Sequence, residues 1–311
     1  MSDEVYHIPA LLQPTLEALE IKPDGVYVDA TFGGGGHSRA ILEKLGPEGH
    51  LYSFDQDEEA VRRAWSDPRF TIVYSNFRFL SNFMRFYGVD RVDGILADLG
   101  VSFHHFDDSS RGFSFRWTGP LDMRMNQRAT QSAATFLAEA TEEKIAEILR
   151  VYGEVKQARR MAAAIVKARA TAPVDTVERL LEIIKPMINP RAEKKELAMV
   201  FQALRIEVNG ELDALRAFLT QSALLLSDSG RLAIITYHSL EDRLVKNFMR
   251  AGNFGGEVEK DFFGRTNAPL KLLTSKPIVP DEEEIDANPR SRSAKLRVAC
   301  RNLEYTPASE R

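Results

Sequence analysis

The stretch VYVDATFGGGGHS, Val26 to Ser38, runs an apolar β-rich segment into four consecutive glycines and a histidine. Glycine in that number costs backbone entropy, so a bare backbone is needed there, either for a tight turn or for close approach of a ligand. Outward from this loop the first hundred residues alternate strand and helix signals. Val26–Thr31 is the first strand, Arg39–Leu45 a short helix ended by Gly46-Pro47, and HLYSFD (His50–Asp55) the second strand, with a helix through about Trp65. FTIVYSNF (Phe70–Phe77) is the third strand and VDGILADLG (Val92–Gly100) the fourth. Short, near-continuous apolar strands separated by helices predict a parallel sheet covered on both faces. Right-handed crossovers would bring every strand's C-terminal end to one edge, where ligands bind.

The pattern changes after Gly100. Ser102–Arg128 has no clear periodicity and carries GPLDMRM, and from Gln131 to about Val208 the chain reads as helical. Thr141 followed by Glu142 and Glu143 predicts a capped helix start, and Asp175 with Glu178 fits a capping box. Strand signals return in GRLAIITYHS (Gly230–Ser239), preceded by a helix over Leu212–Ser227, and AKLRVACRNL alternates like a final strand. The expected organisation is one α/β sheet domain, residues 1–105 and 209–311, interrupted by a helical insertion with its connecting loop, residues 106–208.

Composition sets bounds on function. The 311 residues carry a net charge of −4, with 44% hydrophobic and 28% charged residues, an ordinary soluble balance and not that of a general nucleic-acid binder. Basic charge is local: NPRSRSAKLR (Asn288–Arg297) follows the acidic DEEEID (Asp281–Asp286). A single cysteine, Cys300, leaves no disulfide framework or cysteine zinc site within the chain. With neither an apolar run of spanning length nor a signal-peptide pattern, the expectation is a cytoplasmic protein. His104, His105, Asp107 and Asp108 are bunched in one loop without ligand spacing, so no metal is expected.

Three ligands compete for the glycine loop. A P-loop needs Lys-Ser or Lys-Thr after its last glycine, and His37-Ser38 stands there. The dinucleotide fingerprint matches at Gly33 and Gly35, but its third glycine position is Ser38. S-adenosylmethionine also takes a glycine-rich loop after a first strand, and a strand-end acid such as Asp29 could pair its ammonium group. Asp55 suits ribose hydroxyls in either nucleoside ligand, Phe77 could flank an adenine, and Asp98 ends the fourth strand beside the crevice.

DATFGGGGHS, DGILADLGVS, RGFSF with GPLDMRM, FQALRIEVNGEL, YHSLEDRLVKNFMR and NPRSRSAKLR follow one another across nearly the whole chain, after an initial HIPALL. Together they resemble the bacterial small-subunit ribosomal RNA methyltransferase H family, which methylates a cytosine N4 in the decoding region of 16S ribosomal RNA. The resemblance implies a Rossmann-like class I S-adenosylmethionine-dependent sheet with an inserted all-helical substrate-recognition domain. It implies cofactor contacts at Gly35, Gly36, His37, Asp55, Phe77, Asp98 and His105. At His105 this chain reads SFHH where the family often has SSPQ, with Gln as the contact. It also implies 16S ribosomal RNA, in the small subunit or an assembly intermediate, as partner, no membrane, and room for a homodimer.

Methyl transfer from a sulfonium is an in-line displacement that needs neither metal nor covalent intermediate. An exocyclic cytosine amine is a weak nucleophile, helped by an acceptor for its N–H. Asp98 is available for that role or for the cofactor, and no catalytic base is assigned. C5 methylation would require a nucleophilic cysteine, and Cys300 lies inside the terminal strand pattern. His238, in YHSLEDR, either touches the target base or caps the following helix. Asp122 in GPLDMRM is a substrate candidate or part of a structured loop. Arg290 and Arg292, with Lys295 and Arg297, are candidates for RNA phosphates. Lys156, Arg159, Arg160, Lys167 and Arg169 either face RNA or form a solvated helix face. The rivals to a methyltransferase are an NAD-dependent oxidoreductase and an RNA-binding assembly factor without catalysis.

Overall fold

The computed structural model describes residues 9–101, 106, 108–260, 264 and 267–305. Seven strands form one sheet in the order β3-β2-β1-β4-β5-β7-β6. The strands are β1 Val26–Asp29, β2 His50–Asp55, β3 Phe70–Tyr74, β4 Val92–Asp98, β5 Leu226–Thr236, β6 Leu270–Leu272 and β7 Lys295–Arg301. β3 through β5 run parallel, with Tyr27 opposite both Leu51 and Gly94. β7 runs antiparallel between β5 and β6, so β6 shares the direction of the first five strands. This is the class I methyltransferase sheet, and its strand order reverses between β1 and β4. Ligand crevices of open α/β sheets lie at such a reversal, so the C-terminal ends of β1 and β4 mark the ligand edge.

The chain divides into two compact units, residues 1–100 with 212–311, and residues 101–211. In the first, α1 (Leu12–Leu19), α2 (Gly36–Lys44), α3 (Glu58–Arg62), α4 (Leu80–Phe86) and the later helices flank the sheet. One core cluster joins Leu16 and Leu19 of α1, Ile41 and Leu42 of α2 and the strand residues Tyr27, Leu51, Leu96, Ile235 and Leu296. Each fully buried aliphatic side chain contributes about 1.5–3 kcal/mol relative to exposure. α2 begins three residues earlier than the periodicity predicts, at Gly36, so Gly36 and His37 belong to its first turn. The third strand ends at Tyr74 and not Phe77, because Asn76 closes a 3-10 turn over Phe77–Phe79 by accepting from the Arg78 amide.

The second unit is helical: α5 (Ala133–Glu139), α6 (Glu142–Val151), α7 (Ala158–Arg169), α8 (Val177–Ile184) and α9 (Glu193–Asn209). Its own core holds Ile145, Ile148 and Leu149 of α6, Met161 and Ile165 of α7, and Leu180 and Ile184 of α8. Thr141 caps α6 as expected, its hydroxyl accepting from the Lys144 amide, with Glu142 and Glu143 in the first turn complementing the helix dipole. At α8 the cap is Thr176, not Asp175; Glu178 instead accepts from the Gly119 amide. The chain returns to the sheet through α10 (Glu211–Leu225), and α11 (Ser239–Ala251) and α12 (Glu282–Ala287) follow β5. Among the described residues no helix is long and apolar enough to cross a membrane.

Candidate active site

The glycines divide their work. The Gly35 amide donates to Phe32 O at 2.7 Å, closing a turn that puts Gly35 at φ 78°, where a side chain would also strike Trp65 and Phe32. A Cβ on Gly36 would lie 2.9 Å from the Pro9 ring, whereas Gly34 faces open space. α2 then starts with no side-chain cap and no acid in its first turn. First-turn amides of a helix have no intrahelical acceptor and carry the positive end of the dipole, so this turn suits an anionic group such as a carboxylate.

Three strand-end carboxylates surround this turn and differ in what they can still do. Asp29, at the end of β1, is fully buried. Its Oδ1 accepts from the Thr31 amide (3.0 Å) and its Oδ2 from Ser38 Oγ (2.6 Å), which also meets Ser53 Oγ at 2.8 Å. Burial pushes its pKa to about 7, against the Ser38 and Thr31 hydrogen bonds. Asp29 therefore ties the loop to α2, and with no face of it open it offers a ligand's ammonium group no direct pairing. Ser38 fills the third glycine position of the dinucleotide fingerprint with this hydroxyl network.

Asp55 ends β2 and is partly exposed. Its Oδ2 accepts from the Gly33 amide and its Oδ1 from the Asp57 amide, each at 2.8 Å. Both bonds hold the carboxylate at the mouth of the glycine loop, where the expectation places a nucleoside's ribose hydroxyls. Asp98 ends β4, its side chain 21% exposed. Its amide donates to Thr31 Oγ1 (2.6 Å), linking β4 to the β1 loop, and its Oδ1 accepts from the Tyr237 hydroxyl at 2.8 Å. Burial raises its pKa to about 7; the Tyr237 bond opposes the rise, and the charges of Asp29 and Glu241 add to it. Among the described residues no Lys or Arg pairs with it. His37 Nδ1 lies 3.7 Å away, but burial lowers that imidazole's pKa to about 4, against the Ala10 backbone, so it is neutral at pH 7. Among the described residues its buried Nε2 has no partner of hydrogen-bonding geometry.

Phe77, half-buried, packs edge-on to Phe218 with centroids 5.2 Å apart. Gly35, Gly36, His37, Asp55 and Asp98 thus gather at the reversal edge, and Phe77 sits in the turn after the neighbouring strand. His105 lies outside the described residues. A first helical turn without a side-chain cap, a strand-end carboxylate at the loop mouth and a second carboxylate that meets no Lys or Arg among the described residues fit a ligand carrying a carboxylate, hydroxyls and a positive charge.

The other candidates are placed differently. His238 is the cap of α11: its Nδ1 faces the Glu241 amide at 3.5 Å, while the Glu241 carboxylate accepts from the Tyr237 and His238 amides. In the helical unit, Asp122 grips Arg124 through two hydrogen bonds (2.6 and 2.8 Å), and Arg124 also donates to Gln127 O and Ala129 O. Arg290 and Arg292 are exposed in a 3-10 turn over Pro289–Ser293. Arg297 is no phosphate contact: it is buried on β7 and bound by Asp242 at 2.6 and 3.2 Å. Arg169 donates to the carbonyls of Leu137 and Ala140, whereas Lys156, Arg159, Arg160 and Lys167 are exposed. The residue that sequence reasoning missed is Tyr237. Its only signal is its place between an apolar strand and the capping pattern His238–Glu241.

The MraW methylase family profile matches residues 4–302. The ribosomal RNA small subunit methyltransferase H of Parabacteroides distasonis is 58% identical over 298 residues, covering 96% of this chain and 98% of the relative. The protein of the same name from Porphyromonas gingivalis is 55% identical over 302 residues, covering 96% and 97%. Among solved structures, an rRNA methylase from Streptococcus thermophilus aligns over 93% of this chain and 94% of its own, at 11% identity and a TM-score of 0.41. With one profile spanning nearly the whole sequence and relatives above half identity end to end, the chain belongs to the MraW methylase family.

Proposed function

We propose that this protein is an S-adenosylmethionine-dependent methyltransferase that methylates the N4 amine of a cytosine in the decoding region of small-subunit (16S) ribosomal RNA, in the cytoplasm. The observation that carries the reading is Asp98: a carboxylate at the β1/β4 reversal, hydrogen-bonded to a phenol and paired with no Lys or Arg among the described residues. A site that leaves a carboxylate so placed is built for a positively charged ligand. When bound, S-adenosylmethionine supplies an electrophilic methyl group on a sulfonium, a carboxylate and an ammonium group. Its carboxylate suits the first turn of α2, which has no side-chain cap, its ribose Asp55, and its adenine the Phe77 ring. The nicotinamide dinucleotides bring a pyrophosphate in place of an amino-acid end and so offer Asp98 no ammonium group, whereas Asp55 suits the ribose of either ligand.

The chain's own residues then hold and orient. Tyr237 donates to Asp98 Oδ1 and leaves Oδ2 to accept from an N–H. Glu241 fixes the backbone of Tyr237, so the hydroxyl is set by α11. A carboxylate accepting from the cytosine amine would localise its lone pair toward the methyl group, with the reacting atoms held about 3–3.5 Å apart. The exposed Arg290, Arg292 and helical-unit Lys156, Arg159, Arg160 and Lys167 suit RNA phosphates, which position without reading sequence. A structured ribosomal cytosine must be splayed out to reach the site.

Calorimetry with S-adenosylmethionine and with NAD separates the two cofactor readings: binding of the first alone is expected. Mass spectrometry of small-subunit RNA from a strain lacking the gene should show one cytosine unmethylated. Unchanged cytosine methylation would sink the enzymatic reading in favour of a non-catalytic assembly factor.

A further inference from the structure

Two motifs distant in sequence meet at the glycine loop in a way neither the sheet nor the proposed chemistry explains. The described part of HIPALL, from Pro9, lies on the first turn of α2. The Pro9 ring occupies the space beside Gly36, and the Ala10 backbone lies beside the buried His37 imidazole. Leu11 then caps α1 in the left-handed conformation, φ 53° and ψ 36°, with no side-chain cap. For a β-carbon-bearing residue that conformation is unfavourable and needs support from its surroundings.

The support comes from the far end of the chain. The Leu11 amide donates to Glu284 Oε1 at 2.7 Å. In an ordinary capping box, the acceptor for the cap amide is a Glu at the third position of the same helix. In α1 that position is Pro14, which has no acceptor side chain. In α12, capped by Asp281, the third position is Glu284, and its carboxylate serves Leu11 of the other helix. The acidic DEEEID stretch therefore has a specific structural partner in the N-terminal motif.

We infer that Glu284 is a positioning residue for the methyl donor: by holding the Leu11 amide it keeps Pro9 and Ala10 against Gly36 and His37, and so keeps the first turn of α2 in its binding geometry. This rests on the proposed donor site. Glu284 touches neither the glycine turn nor Asp98 in any hydrogen bond; its charge also reaches Tyr237, but its hydrogen-bonded route to the turn is Leu11. Its loss should appear in donor affinity and not in the chemical step.

The test uses the full chain with Glu284→Ala and Glu284→Gln. Alanine is the best helix former, so α12 is expected to persist. A glutamine oxygen can still accept from the Leu11 amide, more weakly than a carboxylate. Calorimetry should show Glu284→Ala binding S-adenosylmethionine and S-adenosylhomocysteine about 10-fold more weakly, the scale of one lost charge-assisted hydrogen bond. Glu284→Gln should stay within about 3-fold of the wild type. The donor KM should rise with the Kd, with kcat at saturating donor and the KM for RNA unchanged. Hydrogen exchange of the ligand-free protein should show faster exchange at Leu11 and in the first turn of α2 for Glu284→Ala only. A lower Tm with unchanged donor affinity, or equal weakening by both variants, would overturn the inference. If the wild type itself bound no donor, the proposed function would fail instead, and hydrogen exchange would still decide whether Glu284 holds the loop.

Discussion

Asp98 and Asp122 stand close in sequence but in different units, and they meet opposite surroundings. At the sheet edge, Asp98 is hydrogen-bonded by a tyrosine hydroxyl, pairs with no Lys or Arg among the described residues, and is raised by burial to about 7. In the helical unit, burial also pushes Asp122 up, but the side-chain and backbone hydrogen bonds of Arg124 outweigh it and hold the carboxyl below its usual range. Asp242 repeats the second pattern with Arg297. A paired carboxylate closes a local structure and has little left to offer a ligand. An unpaired buried one costs stability, and its retention at a strand-order reversal marks where a cation is received.

The largest effect that could break this comparison is in Asp98→Asn. The substitution keeps the shape and removes the charge, so donor affinity should fall about 100-fold, the upper range for a lost charged hydrogen bond, and methylation with it. Calorimetry giving an affinity within about 3-fold of the wild type would place Asp98 with the structural carboxylates. The same variant has a pH signature. Asp98, raised from 3.8 to about 7, holds its proton more tightly folded than unfolded, so its contribution to stability falls as pH rises from about 4 to 7. Asp29 acts in the same direction, and His37, lowered from 6.5 to about 4, acts against both between those values. Asp98→Asn should flatten the fall, measured by urea titrations at pH 5 and 7.5.

Next in size is Asp122→Ala. It releases Arg124 from its bidentate partner and should destabilise the helical unit by about 1–3 kcal/mol in denaturant titration. Donor affinity should stay within about 2-fold, since the residue belongs to a closed loop. A marked loss of donor binding would dissolve the contrast between the two carboxylates. The smallest effect sharpens it. Tyr237→Phe removes the bond that opposes the rise of Asp98, so more Asp98 is protonated at pH 7. Donor affinity should drop about 3- to 10-fold at pH 7, and the gap to the wild type should narrow at pH 9. A gap independent of pH would show that the hydroxyl does not act through Asp98 ionisation.

Much of the sheet was legible because strand burial writes itself into short range. Val26–Asp29, His50–Asp55 and Val92–Asp98 are apolar runs ending in an acid, and a run needs no partner to be recognised. Misreadings came where polar side chains chose among nearby backbone amides. Asn76 ended the third strand early, and Thr176 took the cap expected of Asp175. Either choice changes a helix or strand end at a cost of about 1 kcal/mol, too little for local pattern to decide. The roles of the charged residues were the least legible. Arg290 and Arg297 share one basic stretch, yet one is exposed and the other is buried against Asp242.

From the residues alone came the alternation of strand and helix, the glycine loop after β1, the acids at successive strand ends and the family to which the motifs belong. These depend on hydrophobic period, backbone permissiveness and ordered motifs, all properties of neighbours along the chain. Only the tertiary structure decided that Asp29 is sealed into the loop while Asp98 stays open, that Tyr237 holds Asp98, and that Glu284 reaches Leu11. Those facts depend on desolvation and on hydrogen bonds between residues far apart in sequence. Such contacts exist only once the strands have fixed which ends come together.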